Sequence, residues 1–223
     1  MKLTAVMLGC VIAASAARAG TITGVVRAQG KAGAEQDAAG KYESRKCKFA
    51  ERVDYSQFRD FVVYVDQPLA EKAIPPAAPL HVVVQKDATF SPHVLPVLVG
   101  TTVDGPNQDG IFHNAFSYSE AKSFDLGLYK DKVKQVTFDK PGRVDVFCSI
   151  HSAMHCIILV LENPYFAATD ARGHYTIANV PAGSYKLKAW HERLPPQTQE
   201  VVVPENGEVQ ANFTLGITGL PEY

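Results

Sequence analysis

The stretch Val144-Asp145-Val146-Phe147-Cys148-Ser149-Ile150-His151-Ser152-Ala153-Met154-His155-Cys156-Ile157-Ile158-Leu159-Val160-Leu161 decides how this chain is read. Its ends, Val144 to Cys148 and Ile157 to Leu161, are aliphatic, β-branched runs of strand length. Between them lies a loop that presents a thiol, an imidazole and a thioether at Cys148, His151 and Met154, a C-x2-H-x2-M spacing. Upstream, Phe112-His113-Asn114-Ala115-Phe116 offers a second imidazole, His113, within a segment read as a strand from Ile111 to Phe116. A loop between neighbouring strands can bring three side chains to one point, and His113 must then arrive from an adjacent strand.

The residue types argue for a metal. Two His and one Cys in a trigonal arrangement with a weak axial Met form the donor set of a type 1 (blue) copper site. Thioether sulfur suits copper and is rare at structural zinc, which prefers Cys and His alone. Taken singly, Cys148 reads as a buried thiol and each His as a satisfied core group. Their joint occurrence at this spacing predicts copper held by His113, Cys148, His151 and Met154. His155, beside Met154, is a rival axial ligand. A loop pinned by strands holds its donors nearly still, which lowers reorganisation on electron transfer. Phe112, Phe147, Ile150 and Ile157 are expected to limit the access of water.

Working outward, short runs rich in Val, Ile, Thr and aromatics alternate with Gly, Pro, Asn and Asp clusters, so the chain reads as all-β. Strands are expected at Thr21–Val26, Phe61–Val65, His81–Gln85, Leu95–Val99, Val133–Phe138 and His174–Ile177. Val103-Asp104-Gly105-Pro106-Asn107 and Asp139-Lys140-Pro141-Gly142 read as turns. Ser184 to Trp190 alternates, with Tyr185, Leu187 and Ala189 on one face and Ser184, Lys186 and Lys188 on the other. Val201–Val203 and Val209–Leu215 close the set. The proline-rich stretch Ile74 to Pro79 cannot continue a sheet interior and reads as a stiff linker. Lys41 to Arg52 is locally basic and reads as a solvated surface segment. Trp190-His191-Glu192 reads as a strand end with Trp190 buried and His191 at the rim. His81, His93 and His174 have no partner at metal-ligand spacing and read as surface or edge residues.

Composition excludes several classes. Lys plus Arg number 22 against 23 Asp plus Glu, so no basic excess exists to neutralise phosphates, and nucleic-acid binding is not expected. Lys2, the uncharged run Leu3–Ala17 and Ala17-Arg18-Ala19 read as a secretory signal peptide, residues 1–19, cleaved before Gly20. The run is short of the roughly 20 apolar residues a spanning helix needs, so stable membrane insertion is not expected. Cys10 would leave with the leader. Three cysteines, Cys47, Cys148 and Cys156, then enter an oxidising compartment, an odd count that leaves one for another task.

Residues 80–162 resemble a cupredoxin, the superfamily of plastocyanin, amicyanin and pseudoazurin. The matching stretches are Phe90-Ser91-Pro92, Val99-Gly100-Thr101, Asn107-Gln108-Asp109 before His113-Asn114, and Pro141-Gly142 before the strand to Cys148. The short ligand loop is most similar to that of amicyanin. The resemblance implies a Greek-key sandwich or barrel, a role for Asn114 in holding the ligand loop, and a position nearest the surface for His151, the electron exit. At Gly105 the sequence departs from the family, where a large apolar residue is common, which would loosen packing there. With Cys148 on copper, Cys47 and Cys156 remain, either as a disulfide from the basic loop to the copper unit or as two unpaired thiols with Cys156 buried.

Phe166 to Ile177, then Val180-Pro181-Ala182-Gly183-Ser184-Tyr185 into Leu187, resemble a carboxypeptidase-regulatory-like, transthyretin-type sandwich. That family opens with strands like Thr21–Val26 and Phe61–Val65, which here precede the copper unit. The expected organisation is therefore one discontinuous sandwich, 20–79 with 163–223, interrupted by the cupredoxin unit at 80–162. About 50 C-terminal residues alone would bury little core. The whole arrangement resembles exported bacterial chains labelled methylamine-utilisation proteins.

These readings predict an exported, periplasmic protein that carries single electrons between protein partners such as a cytochrome or a dehydrogenase. The alternatives are a copper carrier or buffer, and a β-sandwich binding module with a structural metal site. Catalysis is not expected: the copper site is coordinatively crowded, the chain holds only seven His, and no nucleophile with an adjacent base or glycine-rich phosphate loop is visible.

Overall fold

The computed structural model describes residues 19–30, 54–69 and 81–216. The leader up to Arg18, the basic segment with Cys47 and the proline-rich linker lie outside the described residues. The protein is all-β. Its strands run β1 Ala19–Gln29, β2 Val62–Val65, β3 Val84–Lys86, β4 Thr89–Ser91, β5 Val94–Leu98, β6 Thr101–Pro106, β7 Phe116–Tyr118, β8 Ser123–Asp125, β9 Val133–Phe138, β10 Gly142–Phe147, β11 His155–Leu161, β12 Phe166–Ala168, β13 His174–Pro181, β14 Gly183–His191, β15 Leu194–Val203, β16 Glu208–Gln210 and β17 Phe213–Gly216. Among the described residues the one helical element is the 3₁₀ turn Tyr55–Gln57, and no helix is long and apolar enough to cross a membrane.

Strands from both ends of the chain interleave. β1 lies between β13 and β16 and also pairs with β17, while β2 lies between β12 and β14, with β15 at the edge. The alternation expected of Ser184–Trp190 is present: Tyr185, Leu187 and Ala189 are buried. They meet Ile22 and Val26 of β1, Val63 and Val65 of β2, and Leu215 of β17 in one apolar cluster. The Asp170–Gly173 hairpin is closed by Gly173 N–H donating to the Asp170 carbonyl. Gly173 has φ +84°, and a Cβ there would lie 2.2 Å from the Val26 carbonyl oxygen, so only glycine lets this turn approach β1.

The middle of the chain forms the second unit: a sheet ordered β5-β11-β10-β7-β8, with the pairs β3-β4 and β6-β9. Val83, Phe90, Val97, Val103, Phe138 and Val144 belong to its core, with Cys148, Met154 and Cys156. β11 is buried on both faces, which explains its uninterrupted apolar run. Cys156, Ile158 and Val160 face this core. Ile157, Leu159 and Leu161 face the other way, onto Val62, Val94, Tyr64, Phe166 and Trp190. That third cluster joins β11, and through it the Cys148 loop, to the flanking sandwich.

Local expectations are corrected at Val103–Pro106, at Ile111–Phe116 and at the end of β14. Val103–Pro106 is strand, not turn, paired with β9 through Gly105↔Lys134 and Pro106↔Val133. Proline is tolerated there at the strand's last residue. At Gly105 the carbonyl accepts the Tyr129 hydroxyl at 2.9 Å and a Cβ would lie 3.2 Å from that hydroxyl oxygen, while a cavity lined by Gly105, Phe90, Val103 and Phe138 lies beside it. Ile111–Ala115 is irregular, and only Phe116–Tyr118 is strand; His113 instead makes a lone bridge with Tyr129. At the end of β14 the burial is reversed. His191 is buried between Phe58 and Phe61, ring centroids 5.0 Å from each, while Trp190 is half-buried on the other face under Arg143. His191 keeps the parity of Tyr185, Leu187 and Ala189, so the pleat outweighed the larger hydrophobicity of Trp190.

Candidate metal centre

β10 ends at Phe147 and β11 begins at His155, so the donor loop is a tight excursion between two paired strands. It is closed by backbone bonds from Cys148 N–H to the Met154 carbonyl at 3.3 Å and from Met154 N–H to the His151 carbonyl at 3.0 Å. These bonds close the loop that carries Cys148, His151 and Met154. His113 is delivered by reciprocal backbone bonds with Tyr129.

His113, Cys148 and His151 come together. One ligand atom from each lies within 4.8 Å of the others, a group that can hold a metal ion. Nδ1 of His113 is 3.0 Å from Nδ1 of His151, and Cys148 Sγ is 3.8 Å from the latter. An ion bonded at about 2.0–2.1 Å to nitrogen and about 2.3 Å to sulfur spans such separations. His113 and Met154 are fully buried, Cys148 nearly so, and His151 is half-buried. Met154 shares the Cys148 core cluster. The donor set of two imidazoles, a thiol and a buried thioether fits copper.

Around the donors, Asp109 Oδ2 accepts Nε2–H of His113 at 2.7 Å. That bond places the proton on Nε2 and leaves Nδ1 to face the cluster. Asp109 is itself fixed by the backbone N–H groups of Asp87 and Ala88, at 2.7 and 3.0 Å. These bonds, that of Ala88 foremost, hold its carboxyl below the usual range. Asn107 in turn accepts the Asp109 N–H and donates to the carbonyls of Ile111 and Tyr129. Asn114 Oδ1 accepts the Ser149 backbone N–H at 2.7 Å and its hydroxyl at 3.0 Å, tying the His113 segment to the ligand loop. The sequence reading named Asn107-Gln108-Asp109 but assigned Asp109 no role; a carboxylate four residues before a candidate ligand was the available signal.

Other expected residues sit elsewhere. His155, the rival axial donor, turns away from the loop and donates Nε2–H to Asp145 at 2.9 Å. Of the four apolar residues expected to exclude water, Phe112, Phe147 and Ile150 are exposed, and Ile157 packs in the cluster between the units. Water is kept from His113, Cys148 and Met154 by their own depth in the core. Among the described residues Cys156 is a free thiol, buried in β11, and burial, then the Asp145 charge, pushes it up to about 12. It faces the interior in the cluster of Val146 and Ile158; Cys47, its expected partner, lies outside the described residues. His93, expected to lack partners, meets His155 and Glu192 in a second group that can hold a metal.

A family model described as the carboxypeptidase regulatory-like domain matches residues 159–216, the run from the end of β11 through β17. No curated protein matches the chain. The solved structures that resemble it include cupredoxins. A copper-containing nitrite reductase from Thermus scotoductus is 30% identical over 43% of this chain, TM-score 0.36, and the match spans only 25% of that enzyme chain. An amicyanin mutant in its oxidized state is 23% identical over 37% of this chain and 82% of its own, TM-score 0.35. A purple cupredoxin from Nitrosopumilus maritimus is 22% identical over 36% of this chain and 99% of its own, TM-score 0.33.

Proposed function

We propose that the protein is an exported, periplasmic type 1 copper protein that carries single electrons between protein partners. The observation that carries this reading is the convergence of His113, Cys148 and His151 in a core that also buries Met154. Copper bound there would take up and release one electron. His113 is held from behind by Asp109, the loop is held by Asn114, and both loop ends are fixed in paired strands. Donors fixed in this way move little when the charge at the centre changes. His151 is the least buried of the four and serves as the point of electron exit. Beside it, Ile111, Phe112, Leu128 and Ile150 are each more than half exposed. An apolar surface of this kind suits brief docking of a redox protein such as a cytochrome or dehydrogenase.

The interleaving of β1 and β2 with β12–β17 supports the same reading at the level of organisation. A copper unit at 80–162 inserted in a sandwich of 20–79 and 163–223 accounts for that strand order.

The test is to load the purified protein with copper(II) and record its optical and paramagnetic-resonance spectra. Intense visible absorption that Cys148→Ser abolishes, with reversible one-electron reduction, is expected. A colourless copper-loaded protein overturns the reading. Coloured protein that yields copper rapidly to a chelator and exchanges electrons slowly would mark it as a copper carrier.

A further inference from the structure

The second donor group joins residues far apart in sequence. His93 precedes β5, His155 opens β11, and Glu192 lies in the two-residue turn between β14 and β15. One ligand atom from each lies within 4.8 Å of the others. The side chains are 35%, 24% and 20% exposed, so a cation can enter and keep water as a further ligand.

The hydrogen bonds set the ring nitrogens. His93 Nδ1 lies 3.3 Å from the backbone carbonyl of His155, which only accepts. Its Nε2 faces Glu192 Oε1 at 2.9 Å. A neutral ring carries one N–H, so one of its two nitrogens turns a lone pair to an oxygen, which is repulsive. A cation reconciles them, either a second proton on the ring or a metal ion. His155 is set in the complementary way. Its Nε2–H goes to Asp145 at 2.9 Å, and Asp145 is clamped by two bonds from Arg143, at 2.9 and 2.7 Å. That leaves Nδ1 of His155 to ligate. Metal-binding histidines characteristically donate their other N–H to a carbonyl or a carboxylate. Here one does each.

We propose that His93, His155 and Glu192 form a second metal site, for a divalent late first-row cation, zinc or copper(II). Two imidazoles and one carboxylate with an open position suit both ions. The ion clasps the β14–β15 turn of the flanking sandwich to β11, the strand that follows the Cys148 loop. This site shares no ligand with the first cluster and stands whether or not that cluster holds copper.

The test is equilibrium dialysis of the full protein against zinc(II) alone, and separately copper(II) alone, with bound metal counted by elemental analysis. It compares the Cys148→Ser protein with the same protein carrying His93→Gln and Glu192→Gln. Loss of one bound equivalent of zinc, copper or both on adding the two substitutions supports the site, and the dialysis arm that shows the loss identifies the ion. Unchanged stoichiometry for both metals overturns it, including when the melting temperature falls, since the cluster is then a hydrogen-bonded tie. If the double substitution fails to fold, Glu192→Gln alone, in the β14–β15 turn, decides by the same criterion. It should weaken binding by roughly tenfold or more, and unchanged affinity for both metals overturns the site. Visible absorption of wild-type protein carrying only the Gln substitutions reads the first cluster separately.

Discussion

Asp109 Oδ2 and His113 Nε2 are 2.7 Å apart, and this one bond determines which nitrogen of a fully buried imidazole faces Cys148 and His151. The carboxylate is anchored by two backbone N–H groups of the β3–β4 turn, so the orientation of His113 is inherited from a hairpin that contributes no ligand.

Substituting Asp109→Asn should therefore lower copper affinity by about 10–100-fold while leaving the fold intact. Competition against a chelator measures the affinity, and circular dichroism controls for the fold. Unchanged affinity would mean that His113 is held by its burial alone.

Asn114 is buried, and its carbonyl oxygen satisfies both the backbone and the hydroxyl of Ser149. Asn114→Ala removes the acceptor of the part-buried bonds from Ser149, at a cost of about 0.5–1.5 kcal/mol. Urea unfolding should show that loss, and the visible band of the copper-loaded protein should broaden as the loop gains freedom.

The cluster of Ile157, Leu159 and Leu161 against Val62 and Val94 predicts how the two units unfold. Leu159→Ala should cost about 2–5 kcal/mol and, by weakening the contact, split a single calorimetric transition into two. One undivided transition at lower temperature would place the cost within the copper unit.

Asp170 gives a pH dependence of known sign. Its Oδ1 accepts the N–H groups of Arg172 and His174, and the bond from His174 is the chief cause holding its carboxyl below the ordinary value of 3.8. A carboxyl that binds protons less readily when folded adds stability above the unfolded value, and that stability is lost as pH falls through the folded one. Asp170→Asn should be less stable than wild type at neutral pH, with the difference vanishing under strongly acidic conditions. Melting temperatures from pH 7 to pH 2 test this.

Ile150→Lys, at an exposed position next to a ligand of the proposed site, should slow electron exchange with a protein partner about tenfold, the effect of losing one apolar anchor. The absorption band should not move. A shifted band would place Ile150 in the metal environment instead.

Strand periodicity and the donor spacing were legible because both are local. Tyr185, Leu187 and Ala189 declare a face by parity, and Cys148 and His151 need only one tight loop to converge. Gly105-Pro106 misled because the same residues punctuate turns and end strands; the partner that decides, β9, is remote. The second donor group was illegible for the same reason. His93, His155 and Glu192 are unremarkable singly, and only the docking of β14 on β2 and of β5 on β11 makes them neighbours. The end of β14 is a different case: the alternation already placed His191 inside, and reading Trp190 by size overrode it.

β11 has no side to offer to water. A stand-alone middle unit cut out at residues 81 and 162 would thus bare a greasy stripe along Ile157, Leu159 and Leu161, and such fragments self-associate. Anyone wishing to graft the metal loop into another scaffold would do better to transplant β10 and β11 with those three positions recoded as polar.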